Sequence, residues 1–358
     1  MGGGIARLID VAQRSGVSVA TVSRHLNGRI QLPGPTVDRI QRAIEELAYH
    51  PNPHARSLSR GRSDTIGLVI PDIGNAYFAR LAAAVERTAD LHGLALVLCA
   101  TLNQRARERE YLRRLASNHI DGLLFATNSP DDGSLVEPIS RASRRVVILD
   151  EDVPDARGPK IFSDNEQGGY LAGRHLVEAG HRRIAFFAGP ERMMSTRERL
   201  AGCRRAIAAH APDAQIVTTF YGAYSVEDGR RSAERLLAGD EGVTALLVSS
   251  DEIAIGALEV FARERVRVPE RLSIIGFDDV APFHLFNPPL TCIRQPVEEM
   301  GRRAVELLVS GMAGTRMKSA VERLSVELVV RGSVAPPAAR KWNPPRRKGE
   351  THAQSSSS

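Results

Sequence analysis

Cysteine is scarce in this 358-residue chain. Cys99, Cys203 and Cys292 are odd in number and far apart, with no metal-ligand spacing. They exclude a disulfide framework and fit a reducing cytoplasm. Long apolar runs are missing as well, since nothing approaches the roughly 20 residues that span a bilayer. Met1-Gly2-Gly3-Gly4 leads into a charged segment and not into the apolar core of a signal peptide. A cytoplasmic protein with no membrane partner is the expectation. Catalytic signatures are lacking too: there is no phosphate loop, no GxGxxG turn, no GxSxG elbow, and the ten histidines are scattered. Asp278-Asp279 follows an apolar strand pattern, but nothing near it in sequence supplies an activated nucleophile or a metal site. Neither an enzyme nor a cofactor or metal site is expected.

What is present is ordinary globular material, 42% hydrophobic and 25% charged. At about 100–200 residues per domain, the length suggests two or three domains. The net charge of +6 is unevenly spread: +5 in residues 1–62, −3 in 63–334 and +4 in 335–358. A basic head on a slightly acidic body points to a polyanion-binding module joined to something else.

The first 50 residues read as three short helices. Leu8, Val11 and Ala12 share one face of a helix ending near Ser15. Gly16-Val17-Ser18 breaks it, with Ser18 placed to cap a second helix from Val19 whose Val22 and Leu26 face inward. A third begins near Pro35 and repeats Val37, Ile40, Ile44 and Leu47 at helical spacing before Pro51 and Pro53 end it. Arg56 to Ser63 is polar and reads as a linker.

From Thr65 the texture changes. Apolar runs Ile66–Ile70, Leu94–Cys99, Leu123–Ala126 and Val146–Leu149 alternate with amphipathic segments such as Phe78–Leu91. A second series follows at Ile184–Ala188, Ile216–Thr219, Ala245–Val248 and Ser273–Phe277. Short apolar strands alternating with helices predict parallel sheets covered on both faces, here as two doubly wound lobes. Ligands of such folds favour the crevice near the carboxyl ends of the strands. After Val334 the Pro-, Arg- and Ser-rich tail has little to bury and is expected to be disordered.

The strongest local signal runs from Asp10-Val11-Ala12 to Asn27. A short helix, a turn at glycine and a second helix with small or polar outward residues is a helix-turn-helix. Its second helix must be slim enough for the major groove of duplex DNA, with its first residues at base edges. Ser18 opens this set. Val19 and Ala20 offer apolar surface to thymine methyls, and Arg24 presents a fork to guanine. Thr21, Ser23 and Asn27 suit phosphate contacts, which position the helix without reading sequence.

These residues, with Tyr49-His50-Pro51-Asn52-Pro53-His54-Ala55-Arg56-Ser57-Leu58 and Ile66-Gly67-Leu68-Val69-Ile70-Pro71-Asp72, resemble the LacI/GalR family of bacterial transcription repressors. The likeness continues through Gly180-His181, Ala188-Gly189-Pro190, Arg199-Leu200-Ala201-Gly202, Ile275-Gly276-Phe277-Asp278-Asp279, Pro289-Leu290-Thr291, Gln295-Pro296 and Leu328-Val329-Val330-Arg331-Gly332. It covers roughly residues 5–334. The resemblance implies an α/β fold: an N-terminal three-helix helix-turn-helix headpiece plus a hinge helix, then a two-lobed doubly wound core like that of periplasmic binding proteins. The implied domains are a headpiece at 1–50, a hinge at 51–62, an effector-binding and dimerisation domain at 63–334, and a basic tail at 335–358. Lobe 1 is placed at about 63–163 plus 293–322, and lobe 2 at about 164–291 plus 323–334.

The resemblance also implies residue roles. Leu58 of the hinge matches an apolar wedge in the minor groove at the operator centre, with Ala55 beside it and Asn52 also at the DNA; such a wedge unstacks a base step and bends the duplex. Asp72, Asn75, Tyr77 and Phe78 match the rim of an effector cleft. Arg199 and Asp278 match residues that hold effector hydroxyls or carbonyls, and Tyr224 a position that stacks on or covers the ligand. Asp150 and Gln295 match polar positions near the lobe junction. Ser250-Asp251 departs from the family's usual Asn-Asp. Either a water fills the space left by the shorter side chain, or the ligand differs. Arg197 and Arg199 lie close enough in sequence for two guanidinium groups to share an anionic ligand group, or for one to be a surface ion pair.

The function so implied is a sequence-specific transcriptional repressor in the cytoplasm, associated with the nucleoid. Its expected partners are pseudo-palindromic double-stranded operator DNA, a sugar-like small effector in the cleft, and a second copy of itself. Two alternatives stand beside it: control by a corepressor or partner protein, and a sugar-binding or enzymatic body with a vestigial DNA-binding head.

Overall fold

The computed structural model describes residues 6–49, 62–117, 119–130, 132–239, 241–315 and 320–337. Asn52, Ala55 and Leu58 of the expected hinge, and the tail from residue 338 onward, lie outside the described residues. The chain divides into a small N-terminal unit and a large body.

The small unit holds helices α1 (Leu8–Ser15), α2 (Val19–Leu26) and α3 (Gly34–Glu46). Its core is the set the helical spacing picks out, with Val11, Val22 and Ile40 fully buried and Ala12, Ala43 and Tyr49 packed around them. The Arg7 N–H donates to Asp10 Oδ2 at 2.7 Å at the start of α1. Gly16 closes that helix at φ 69°, a left-handed conformation that costs glycine little. Ser18 then caps α2, its Oγ accepting the Thr21 N–H at 3.1 Å. Two turns of chemistry, glycine out and serine in, therefore set the angle between the two helices.

The body has two six-stranded sheets. Lobe 1 contains β1 (Thr65–Ile70), β2 (Ala95–Ala100), β3 (Gly122–Ala126), β4 (Val146–Leu149), β5 (Lys160–Ser163) and β11 (Val321–Leu324), in the order β11-β5-β4-β3-β1-β2. Lobe 2 contains β6 (Arg183–Ala188), β7 (Gln215–Tyr221), β8 (Ala245–Val248), β9 (Ser273–Phe277), β10 (Thr291–Arg294) and β12 (Glu327–Val329), in the order β12-β10-β9-β8-β6-β7. The second order repeats the first strand for strand. The repeat breaks at the last strand, where β11 runs parallel to β5 but β12 runs antiparallel to β10.

Helices cover the sheets: α4 (Ala76–Leu91), α5 (Arg105–Ala116), α6 (Val136–Arg141) and α11 (Val297–Met312) in lobe 1, and α7 (Asn165–Glu178), α8 (Met194–His210), α9 (Val226–Ala238) and α10 (Asp251–Arg263) in lobe 2. The chain passes between lobes after β5, β10 and β11. The edge strands β2, β7, β11 and β12 depart from the two-face burial pattern. β2 lies at the sheet edge with Val97 and Leu98 exposed, 43% and 41%.

In lobe 2, α7 and α8 approach until their backbones touch. A Cβ on Gly202 would stand 1.9 Å from the Glu166 carbonyl oxygen, and one on Gly169 would stand 1.9 Å from that of Arg199. Backbone cannot yield as a side-chain tip can, so Gly202→Ala must push the helices apart. The expected cost is ~1–3 kcal/mol, typical of overpacking, read as a lower midpoint in urea. Gly34→Ala, where nothing lies within 4 Å, is the control expected to leave the midpoint in place.

Candidate functional site

Two surfaces carry the predicted site residues. The first is α2. Val22 alone of the helix is fully buried, so the opposite face looks outward. Ser18, Val19, Ala20 and Arg24 are exposed, while Thr21, Ser23 and Asn27 are half-buried beside them. The Ser18 and Thr21 hydroxyls lie 2.8 Å apart, which ties the helix's first turn together. The outcome is a short rod showing a small apolar start, an arginine one turn on, and hydroxyls at its flanks.

The second surface is the cleft between the lobes, at the carboxyl ends of the parallel strands. Every cleft residue predicted from sequence lines it except Asp72. That carboxylate is turned back on its own loop, accepting the Gly74 N–H at 2.8 Å, and its side chain is exposed. Arg197 is exposed on α8 whereas Arg199 is buried, so the two guanidinium groups do not converge on a shared anion site.

The lobes contribute matching positions. Asp150 follows β4 and Asp278 follows β9, the equivalent strand of the other lobe, and both take left-handed φ, 67° and 65°. Aspartate tolerates this region better than most side chains, and the turn aims each carboxylate off the strand end into the cleft. Tyr77 donates to Asp150 Oδ1 at 2.7 Å, and its ring packs edge-on against Phe78. The Asp278 carboxylate accepts from Gln295 Nε2 and from the Asp251 N–H. Arg199 stacks over Phe277, 4.2 Å from the ring centre, with Nε donating to Asn165 Oδ1 at 2.8 Å and Nη1 to the Ser249 carbonyl. Ser250 acts first as a helix cap, its Oγ accepting the Ile253 N–H at 3.3 Å.

Four lining residues were not singled out from sequence: Asn128, Ser195, Asp251 and Glu252. Asn128, Asp251 and Glu252 come just after apolar strand runs, which is the signal that could have found them, whereas Ser195 lies in the first turn of α8. Asn75 bridges the lobes, capping α4 through Oδ1 while Nδ2 donates to Asp251 Oδ1 at 3.2 Å. Glu151, also unpredicted, makes a second bridge. It accepts the N–H groups of Met194 and Ser195 at 2.6 and 3.1 Å and the Ser195 hydroxyl at 2.7 Å. With these ties in place the free space is about 40 Å³. At ~10–15 Å³ per water, that is room for a few waters, so a sugar-sized molecule requires the walls to part.

The cleft raises its own carboxyl pKa values. Desolvation, then the neighbouring carboxylate of Asp278, lifts Asp150 to about 6 and Asp251 to about 7. Burial lifts Glu151 to about 7 against the pull of its hydrogen bonds from Ser195 and Met194. Folded protein thus holds protons that the unfolded chain releases, so stability rises as pH falls through about 7. His181, pushed down to about 4 by burial, and His175, lowered by burial, oppose this below their ordinary 6.5, but the raised carboxyls, with Glu108, Glu252 and Asp278 shifted the same way, outnumber them. The unfolding free energy is expected to be higher at pH 5.5 than at 7.5, by on the order of 1–3 kcal/mol. Urea titrations at the two pH values check it, and a fall toward pH 5.5 would contradict these shifts.

Comparison with known proteins agrees with this division of labour. Residues 7–52 match the bacterial regulatory proteins of the lacI family, and residues 174–334 match a periplasmic binding protein-like domain. The HTH-type transcriptional repressor CytR of Escherichia coli (strain K12) is 34% identical over 331 residues, 92% of this chain and 96% of that protein. The lac repressor dimer bound to operator and the anti-inducer ONPF is similar with a TM-score of 0.82 at 28% identity, over 93% of this chain and 100% of that one. The complex of the transcriptional regulator CelR with cellobiose gives 0.69 at 31% identity, over 92% and 99%. Among the described residues no helix is long and apolar enough to cross a membrane. The chain belongs to the lacI family of bacterial regulatory proteins.

Proposed function

We propose that this chain is a transcriptional repressor that reads operator DNA with α2 and is controlled by a small effector, a sugar or sugar derivative, held between its lobes. It is not an enzyme on this reading, because none of the cleft's polar groups is an activated nucleophile and the relatives it resembles are transcriptional regulators. The observation that carries the proposal is the outward face of α2, where Val19, Ala20 and Arg24 stand exposed on a helix that only Val22 anchors fully. The relative bound to cellobiose supports a carbohydrate-like effector. Closing or opening of the cleft changes DNA affinity only if the effector binds one cleft state better than the other.

A second copy completes the proposed assembly. Lobe 2 has an apolar cavity of about 400 Å³, far larger than the free space of the cleft, lined by Ile255, Leu258, Phe261, Val266 and Phe286 among others. Leu285 beside it is 75% exposed, and the exposed β2 edge adds Val97 and Leu98. These exposed apolar residues offer surface to a second copy, and the similar lac repressor structure is a dimer. Two-fold pairing also matches the symmetry of a palindromic operator.

Two measurements test these readings. Arg24→Ala is expected to weaken operator binding by ~1–3 kcal/mol and relax preference at one base pair per half-site. An equal loss on every sequence would reassign Arg24 to phosphate. Leu258→Glu is expected to turn a dimer into a monomer in sedimentation velocity; a monomeric wild-type protein would sink the dimer proposal.

A further inference from the structure

The cleft's charge is lopsided. Asp150, Asp251, Glu252 and Asp278 line it against Arg199, the one arginine among its described lining residues. That arginine is largely committed, buried at 4% exposure, stacked on Phe277 and bonded to Asn165 and Ser249. Among the described lining residues, the buried side-chain atom without a hydrogen-bond partner is an acceptor. Gln295 is 4% exposed and donates to Asp278, but its Oε1 has no hydrogen-bond partner among the described residues. A buried acceptor without a donor is costly, and a ligand donor relieves that cost. An anionic group brought to the same place would add acceptor oxygens and like charge where neither is compensated.

We infer that the cleft selects a ligand rich in hydrogen-bond donors and free of negative charge, so that a neutral polyol or its amine analogue binds while the carboxylate or phosphate analogue is rejected. Glu252 sets the preference for the amine. With Asp150 it is one of the two half-buried members of the acidic set, and it stands on the first turn of α10 with its carboxylate hydrogen-bonded by the cross-lobe Asn75. Asp150 is taken by Tyr77, Asp278 by Gln295 and the Asp251 N–H, and Asp251 by the helix end and Asn75, so Glu252, which shares that Asn75, keeps the most acceptor capacity for a ligand amine. This inference rests on the small-molecule reading of the cleft and narrows it by charge.

The test uses the full-length protein at pH 7.5 and compares matched probes by thermal shift and calorimetry. The sets are glucose, glucosamine, glucuronate and glucose 6-phosphate; the corresponding galactose compounds; cellobiose; and ribose with ribose 5-phosphate. The expected result is that neutral or amine members stabilise the protein while their anionic counterparts bind at least tenfold more weakly. Glu252→Gln is expected to reduce the amine-to-neutral affinity ratio at least threefold, and an unchanged ratio would overturn the role of Glu252. An anionic member that binds as well as its neutral counterpart would overturn the charge inference while leaving the cleft as an effector site. If no probe of any charge binds, the small-molecule reading falls and this inference falls with it.

Discussion

The body of this protein depends on how its two lobes are held at a polar seam. Glu151 carries much of that seam. A carboxylate placed at the start of α8 meets N–H groups with no partner inside the helix and the positive end of the helix dipole, which favours anions there. Burial works against it by penalising the charge. The outcome is a bond that is strong while closed and has an inexpensive alternative when open, because water can solvate both partners. The Ser195 hydroxyl that Glu151 accepts lies 2.9 Å from Tyr224 Oη, and Tyr224 lines the cleft. One hydroxyl therefore belongs both to the seam and to the site. A molecule that displaces Tyr224 necessarily disturbs the seam.

The strand-for-strand repeat of the lobes explains why so many polar groups converge without a local motif. Strand ends at equivalent positions deliver Asp150 from one lobe and Asp278 from the other, and Asn128 and Ser250 from the ends of β3 and β8. Differences between the lobes then decide chemistry. Arg199 on α8 has no arginine counterpart at the cleft among the described residues of lobe 1, and Tyr77 of lobe 1 is answered by Tyr224 on a different loop. Gly189 keeps that tyrosine in place by default: a Cβ there would stand 2.2 Å from the ring.

Much of this was legible in the chain. The helical spacing of Val11, Val22 and Ile40 identifies the head, because a three-helix core this small has few ways to bury its apolar residues. The first four strands of each lobe are apolar runs long enough to see. β5, β10, β11 and β12 were not read as strands, since they span four residues or fewer and carry polar members such as Lys160, Arg294 and Glu322. Asp72 illustrates the limit of positional likeness, since a side chain at a strand end can turn to its own loop instead of the cleft. Asp251 and Glu151 were missed for a related reason. Each stands next to a predicted residue, and sequence adjacency does not say which of two neighbours a turn will point inward.

Charge ties the two ends of the molecule to different ligands. Residues 1–62 carry +5, and cations that neutralise phosphates make binding steeply dependent on salt. The body carries −3, which discourages phosphate from settling there and leaves DNA affinity to the head. Within the body the cleft concentrates that same sign, where lost hydration makes it felt at short range. On the reading proposed above, a phosphate drawn to the head meets like charge at Asp251 and Asp278 of the cleft. Separate ligands can then be read on one chain without competing, because the sign that recruits one excludes the other.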